Sequence, residues 1–88
     1  MVEKRAAERI PFSDKIDFLV PVSDFREVTT LSLTCSAIDI SSSGMGIVVD
    51  YPLEPGHVLK FNNFTPDFGI VRWSRKINEN YRAGIEFV

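Results

Sequence analysis

One histidine and one cysteine in 88 residues leave little room for side-chain catalysis. A metal centre wants roughly three or four His, Cys or carboxylate ligands, and an activated nucleophile wants a base beside it. Neither can be assembled around His57 or Cys35, so an enzyme is the weakest reading and no cofactor is expected. A lone Cys35 forms no internal disulfide, which agrees with a reducing compartment, and its place in a strand pattern marks it as a small core residue. His57 follows Pro55-Gly56 at a strand start, where an exposed imidazole is expected. No apolar run approaches the roughly 20 residues that span a bilayer, and the charged N-terminus lacks the apolar stretch of a signal peptide. A cytoplasmic chain without membrane insertion is the expectation. Positive charge is short as well: ten Lys and Arg against twelve Asp and Glu give a net charge of −2. General DNA or RNA binding, which needs a basic domain or stripe, is disfavoured.

What the chain does have is enough apolar material for one small core, 44% of its residues, seven phenylalanines among them. Lys15 to Val20 reads as a first strand that Pro21 closes. Val28 to Ile40 is a long strand in which Leu31, Leu33, Cys35 and Ala37 alternate with polar residues. Continued unbroken, that alternation points Asp39 inward, so a bulge or strand end is expected near Ile38. Gly46 to Asp50 is a third strand, His57 to Phe61 a fourth beyond the Pro55-Gly56 turn, and Phe68 to Lys76 a fifth. Asn78-Glu79-Asn80 makes a hairpin turn into a sixth, Tyr81 to Val88. There Tyr81, Ala83, Ile85 and Phe87 share one face, and Arg82, Gly84 and Glu86 the other. The fold class is therefore all-β. So small a sheet manages its edges best by closing, which predicts a six-stranded antiparallel β-barrel over residues 13–88. Residues 1–12 have helix-tolerant composition but no apolar face, and read as a flexible, arginine-bearing N-terminal arm.

Two stretches carry chemistry. Ile38-Asp39-Ile40-Ser41-Ser42-Ser43-Gly44 joins two strands so briefly that they must pair antiparallel, which brings Asp39, Ser41 and Gly44 to one rim. Asp39 offers two acceptor oxygens, Ser41 a hydroxyl that donates or accepts, and Gly44 lets a ligand come close to the backbone. The same residues suit any ordinary turn. On the arm, Arg5 and Arg9 are four apart, and a helical turn would set them on one face. Their guanidinium forks grip phosphate, stack on a flat ring and match the O6/N7 edge of guanine. A solvated pair with Glu8 as local partner is the plainer alternative.

Arg5-Ala6-Ala7-Glu8-Arg9 followed about thirty residues later by Asp39-Ile40-Ser41-Ser42-Ser43-Gly44 is an RxxxR…DxSxxG pairing, and it resembles the PilZ domain, the bacterial receptor module for cyclic di-GMP. Arg9-Ile10-Pro11-Phe12 is similar to that family's lead into its first strand. Gly69-Ile70-Val71-Arg72-Trp73 with Tyr81-Arg82-Ala83-Gly84-Ile85-Glu86-Phe87 is similar to its closing hairpin. The resemblance implies a barrel whose arm folds over the ligand and signals to a downstream protein partner. It implies that Arg5 and Arg9 bind phosphates and guanine edges, that Asp39 accepts from guanine N1 and N2, that Ser41 bonds a phosphate or base edge, and that Gly44 admits the backbone. Lys4 is implied as a further phosphate contact, and Trp73 as an aromatic against a base, with a place in the barrel wall as its alternative. All five motif positions are intact. The stretch between the first strand and Ser36 is longer than the family pattern, so an extra turn is expected at residues 22–30. The chain ends on its last strand, without the C-terminal helix many relatives carry, which fits a stand-alone or appended sensor. Two rival readings are a non-catalytic protein-interaction barrel that has kept the fold, and a small barrel for single-stranded nucleic acid using Trp73.

Overall fold

The computed structural model describes residues 10–23 and 26–88, with side chains from residue 14 onward. Six strands, β1 (Ile10–Ser23), β2 (Val28–Ile40), β3 (Gly44–Val49), β4 (Val58–Phe61), β5 (Phe68–Ile77) and β6 (Asn80–Phe87), close into an antiparallel barrel in the order β1-β2-β3-β6-β5-β4. Among the described residues there is no helix long and apolar enough to cross a membrane.

Period-2 alternation fills the interior. Ile16, Phe18 and Val20 of β1 meet Cys35 and Ala37 of β2, Met45, Ile47 and Val49 of β3, Leu59 and Phe61 of β4, Val71 of β5, and Ala83 and Ile85 of β6. Leu53, from the connection after β3, is buried with them. Phe61, Phe64 and Phe87 pack ring against ring, with centroids 5.5 to 6.4 Å apart. The face expected for β6 is the one found, with Ala83 and Ile85 buried and Tyr81 and Phe87 packed against the core. Cys35 lies within this core, and burial pushes its thiol up to about 12.

The first strand does not stop at Pro21 as expected. It runs on to Ser23, pairing Pro21 with Thr30 and Ser23 with Val28. The physical reason is that β4 meets β1 only through Phe18–Phe61 and Leu19–Lys60. Beyond Leu19 the strand has one neighbour, β2, and an edge of this kind admits a proline. Of the stretch 22–30, expected to form an extra turn, residues 22–23 and 28–30 are strand, a two-stranded ribbon reaching past the barrel, and residues 24–25 lie outside the described residues. At its other end β1 begins at Ile10, inside the stretch assigned to the arm. His57 is partly buried rather than exposed, because its Nδ1 accepts the Glu54 amide at 3.1 Å and closes the Pro-Gly turn.

Candidate functional site

Three irregularities fall at one end of the barrel and aim the site. Strict alternation would turn both Asp39, two residues after buried Ala37, and Trp73, two residues after buried Val71, into the interior. Each strand instead carries an extra residue, Ile38 in β2 and Arg72 in β5, where the pairing slips. A bulge of this kind re-aims the side chains that follow it. Asp39 therefore faces outward opposite Gly46, and Trp73 outward opposite Gly84. A third slip, between Pro11 and Asp14 of β1, brings Pro11 beside Asp39.

The consequence is a row across the outer wall: Asp39 on β2, Gly46 on β3, Gly84 on β6 and Trp73 on β5, each paired with the next. Three strand spacings, about 14 Å along the curved wall, separate the backbones of Asp39 and Trp73, and the two side chains reach toward one another over Gly46 and Gly84. Both glycines are required by close approach. The Gly46 amide donates to Asp39 Oδ1 at 3.0 Å, and a Cβ on Gly46 would stand 3.0 Å from the other carboxylate oxygen. A Cβ on Gly84 would lie 2.2 Å from Trp73 Nε1, so the indole rests flat on bare backbone. Trp73 is 43% exposed, which settles it on the outer face and outside the core.

Next to this row lies a shallow cavity of about 220 Å³, lined by Ser43, Gly44, Arg72, Trp73, Gly84 and Glu86. Arg72 Nε donates to Glu86 Oε1, so these two exposed charges offset one another. The Ser41–Gly44 connection forms the cavity's rim. Ser41 Oγ accepts the amides of Ser43 at 3.2 Å and Gly44 at 3.3 Å, and the Ser41 amide donates to the Gly44 carbonyl at 2.8 Å. Ser41 thus builds the turn, the ordinary role of a serine there. The Phe87 amide donates to the Ser43 carbonyl at 2.9 Å and ties the turn to β6. Gly44 packs so close to β6 that a Cβ would stand 2.1 Å from the Ile85 carbonyl oxygen.

Of the residues singled out in the sequence, Asp39, Ser41, Gly44 and Trp73 come together at this end of the barrel. Lys4, Arg5 and Arg9 lie outside the described residues. The backbone nonetheless explains why the two half-motifs stand thirty residues apart. Ile10 pairs with Ile40 and Pro11 with Asp39, so the residues just after Arg9 are strand neighbours of the DxSxxG segment. Sequence reasoning missed Gly46, Arg72 and Gly84 as parts of the site. Glycines inside strands Gly46 to Asp50 and Tyr81 to Val88 were the available signal, since such glycines mark close approach.

A family model described as the PilZ domain matches residues 3–88. No curated protein matches the chain in sequence. Among solved structures, the PilZ domain with c-di-GMP of YcgR from Escherichia coli superposes with a TM-score of 0.60 at 18% identity, over 98% of this chain and 79% of that one.

Proposed function

The chain belongs to the PilZ domain family, a family of cyclic di-GMP-binding domains, and from that membership we propose that it is a cyclic di-GMP receptor whose ligand is held between the RxxxR arm and the DxSxxG turn. The observation that carries the reading is the outward row of Asp39, Gly46, Gly84 and Trp73 beside the Ser41–Gly44 rim. Asp39, whose Oδ1 accepts the Gly46 amide at 3.0 Å, supplies the carboxylate for the N1 and N2 donors of guanine. Trp73 offers a flat ring for a base, and base–aromatic stacking contributes about 1–3 kcal/mol per base. Gly44 lines the cavity at its rim, and the Ser41 hydroxyl adds a polar contact once the ligand displaces one of its turn bonds. Arg5 and Arg9, with Lys4 beside them, supply forks and charge for phosphates and guanine edges. Their tether at Pro11 lies next to Asp39. Closure of the arm over a dianionic ligand then presents a new surface to a downstream protein. In this reading the domain is non-catalytic.

Isothermal titration with cyclic di-GMP tests the proposal, with GTP and cyclic GMP as controls. Micromolar or tighter binding is expected, lost in Asp39→Ala and weakened by several kcal/mol in Arg5→Ala or Arg9→Ala, since hydrogen bonds to charged groups contribute about 1.5–3 kcal/mol each. Unchanged affinity in both arginine variants would sink the arm's role. The rival protein-interaction barrel has one observation on its side. Val58 and Phe68 are 43% and 42% exposed on the outer wall, beside Leu19 and Pro21. No heat and no thermal shift with the dinucleotide would move the function to that surface.

A further inference from the structure

Two arginines of the outer wall take no part in the site described above. Arg75 and Arg82 face each other across β5 and β6, one outward position further along the strands than Trp73 and Gly84. The Arg75 guanidinium carbon stands 5.6 Å from the centre of the Trp73 ring, a cation–π distance. Arg82 is partly buried. Its Nε is shut off from solvent and has no hydrogen-bond partner among the described residues. A guanidinium N–H held out of water without an acceptor is costly, and it marks a place where an acceptor belongs. Among the described residues no carboxylate pairs with Arg75 or Arg82, whereas Arg72 nearby is paired with Glu86. The same register row continues through Val48 and Ser36 to Lys15, so this strip carries cations and no acid.

We propose that Arg75 and Arg82 form an anion subsite on the barrel wall, taking a phosphate of the nucleotide whose base lies against Trp73. The inference rests on the cyclic di-GMP reading for the identity of that nucleotide. Its two arginines belong to β5 and β6. Two residues along a strand span about 7 Å, the reach of one sugar between a base on Trp73 and a phosphate at the arginines. The forks of Arg75 and Arg82, side by side on antiparallel neighbours, present N–H donors to one oxyanion, and an outward turn of the Arg82 side chain brings its Nε the acceptor it lacks. A peptide carboxylate would satisfy the arginines but leave the adjacent indole without a purpose, so the pairing of ring and cations favours a nucleotide phosphate.

The test is titration of the full chain with cyclic di-GMP at several salt concentrations, in wild type, Arg75→Gln, Arg82→Gln and Arg82→Lys, with thermal melts as the folding control. Each glutamine variant should bind at least tenfold more weakly and with a shallower salt dependence, and Arg82→Lys should recover part of the loss. Wild-type affinity and salt dependence in both glutamine variants would overturn the subsite. If the wild type itself binds no cyclic di-GMP, the receptor reading fails, and the subsite is then judged by the ¹⁵N resonance of Arg82 Nε during titration with inorganic pyrophosphate. A saturable shift, absent in Arg75→Gln, upholds an anion site at these arginines, and an unmoved resonance overturns it.

Discussion

Replacing Gly84 with alanine should lift the Trp73 indole off the barrel wall and leave the barrel folded. The new Cβ would stand 2.2 Å from Nε1, 2.6 Å from Cε2 and 2.8 Å from Cδ1 of Trp73. Ordinary carbon contacts begin near 3.5 Å, so the ring must retreat by about 1 Å or more. It has somewhere to go, because Trp73 is on the outer face and 43% exposed. Uncovering on the order of 50 Å² of ring at about 25 cal/mol per Å² costs about 1 kcal/mol. Removing glycine's freedom from the unfolded chain returns about 0.4–1 kcal/mol, so the net change is small and the melting point moves by a few degrees. Gly44→Ala makes the same chemical change against a different neighbour. There the Cβ would meet the Ile85 carbonyl oxygen at 2.1 Å, a backbone atom of the β3–β6 ladder that cannot swing away. Overpacking of about 1–3 kcal/mol plus a damaged ladder bond of about 1 kcal/mol gives about 3 kcal/mol, or roughly 12–24 °C in a domain of this size. Trp73 is the sole tryptophan, so intrinsic fluorescence reports its position without interference. A red-shifted emission in folded Gly84→Ala, with a much larger melting loss in Gly44→Ala, is the expected pair of results. Unchanged emission in Gly84→Ala, or equal melting losses in the two variants, would refute the reasoning.

Other perturbations probe different parts of the barrel. Asp39→Ala removes the acceptor of the Gly46 amide and should lower stability by about 1–2 kcal/mol in urea unfolding, while abolishing any preference for guanine over adenine ligands in calorimetry. Phe18 is fully buried in the core, so Phe18→Ala should cost about 3–5 kcal/mol by the same urea assay; a loss under about 1 kcal/mol would mean the interior is not filled as described. Cys35 should resist a thiol reagent at neutral pH until the chain unfolds, since desolvation raises its thiol from 9.0 to about 12. The folded state holds that proton more tightly than the unfolded one, so this contribution is fully present below about pH 9 and is lost as pH climbs from 9 to 12. Melts across that window would show the decline, and Cys35→Ala should flatten it.

The strands were legible wherever one face is apolar and the other is not. Leu31 to Ala37 and Tyr81 to Phe87 announced their buried faces by simple alternation, and both faces are the ones found. Alternation also gave notice of the bulge at Ile38, because a carboxylate at Asp39 could not follow Ala37 into the core. The matching bulge at Arg72 was silent. A tryptophan is at home inside a barrel or on its surface, so nothing in Val71-Arg72-Trp73 reveals which way the ring turns until the pairing with Gly84 is known. Pro21 misled for a similar reason. A proline excludes only a strand with neighbours on both sides, and how far β4 runs alongside β1 is a property of the closed barrel rather than of the local sequence. Ser41 showed both of its possible uses in the sequence, and the folded chain employs it first as the brace of its own turn.

The long β1–β2 hairpin makes the spacing between the two half-motifs a matter of reach rather than of sequence count. Its paired ends, Ile10–Ile40 and Pro11–Asp39, sit at the rim, and its far end, Ser23–Val28, lies about 40 Å away along a strand of this length. Residues added between Ser23 and Arg26 would lengthen the overhang and leave the rim untouched. A single residue inserted within β1 between Asp14 and Phe18 would instead slip the register and turn every following side chain to the opposite face. The tip of the hairpin is therefore where a reporter or a grafted epitope can be carried without disturbing the binding end.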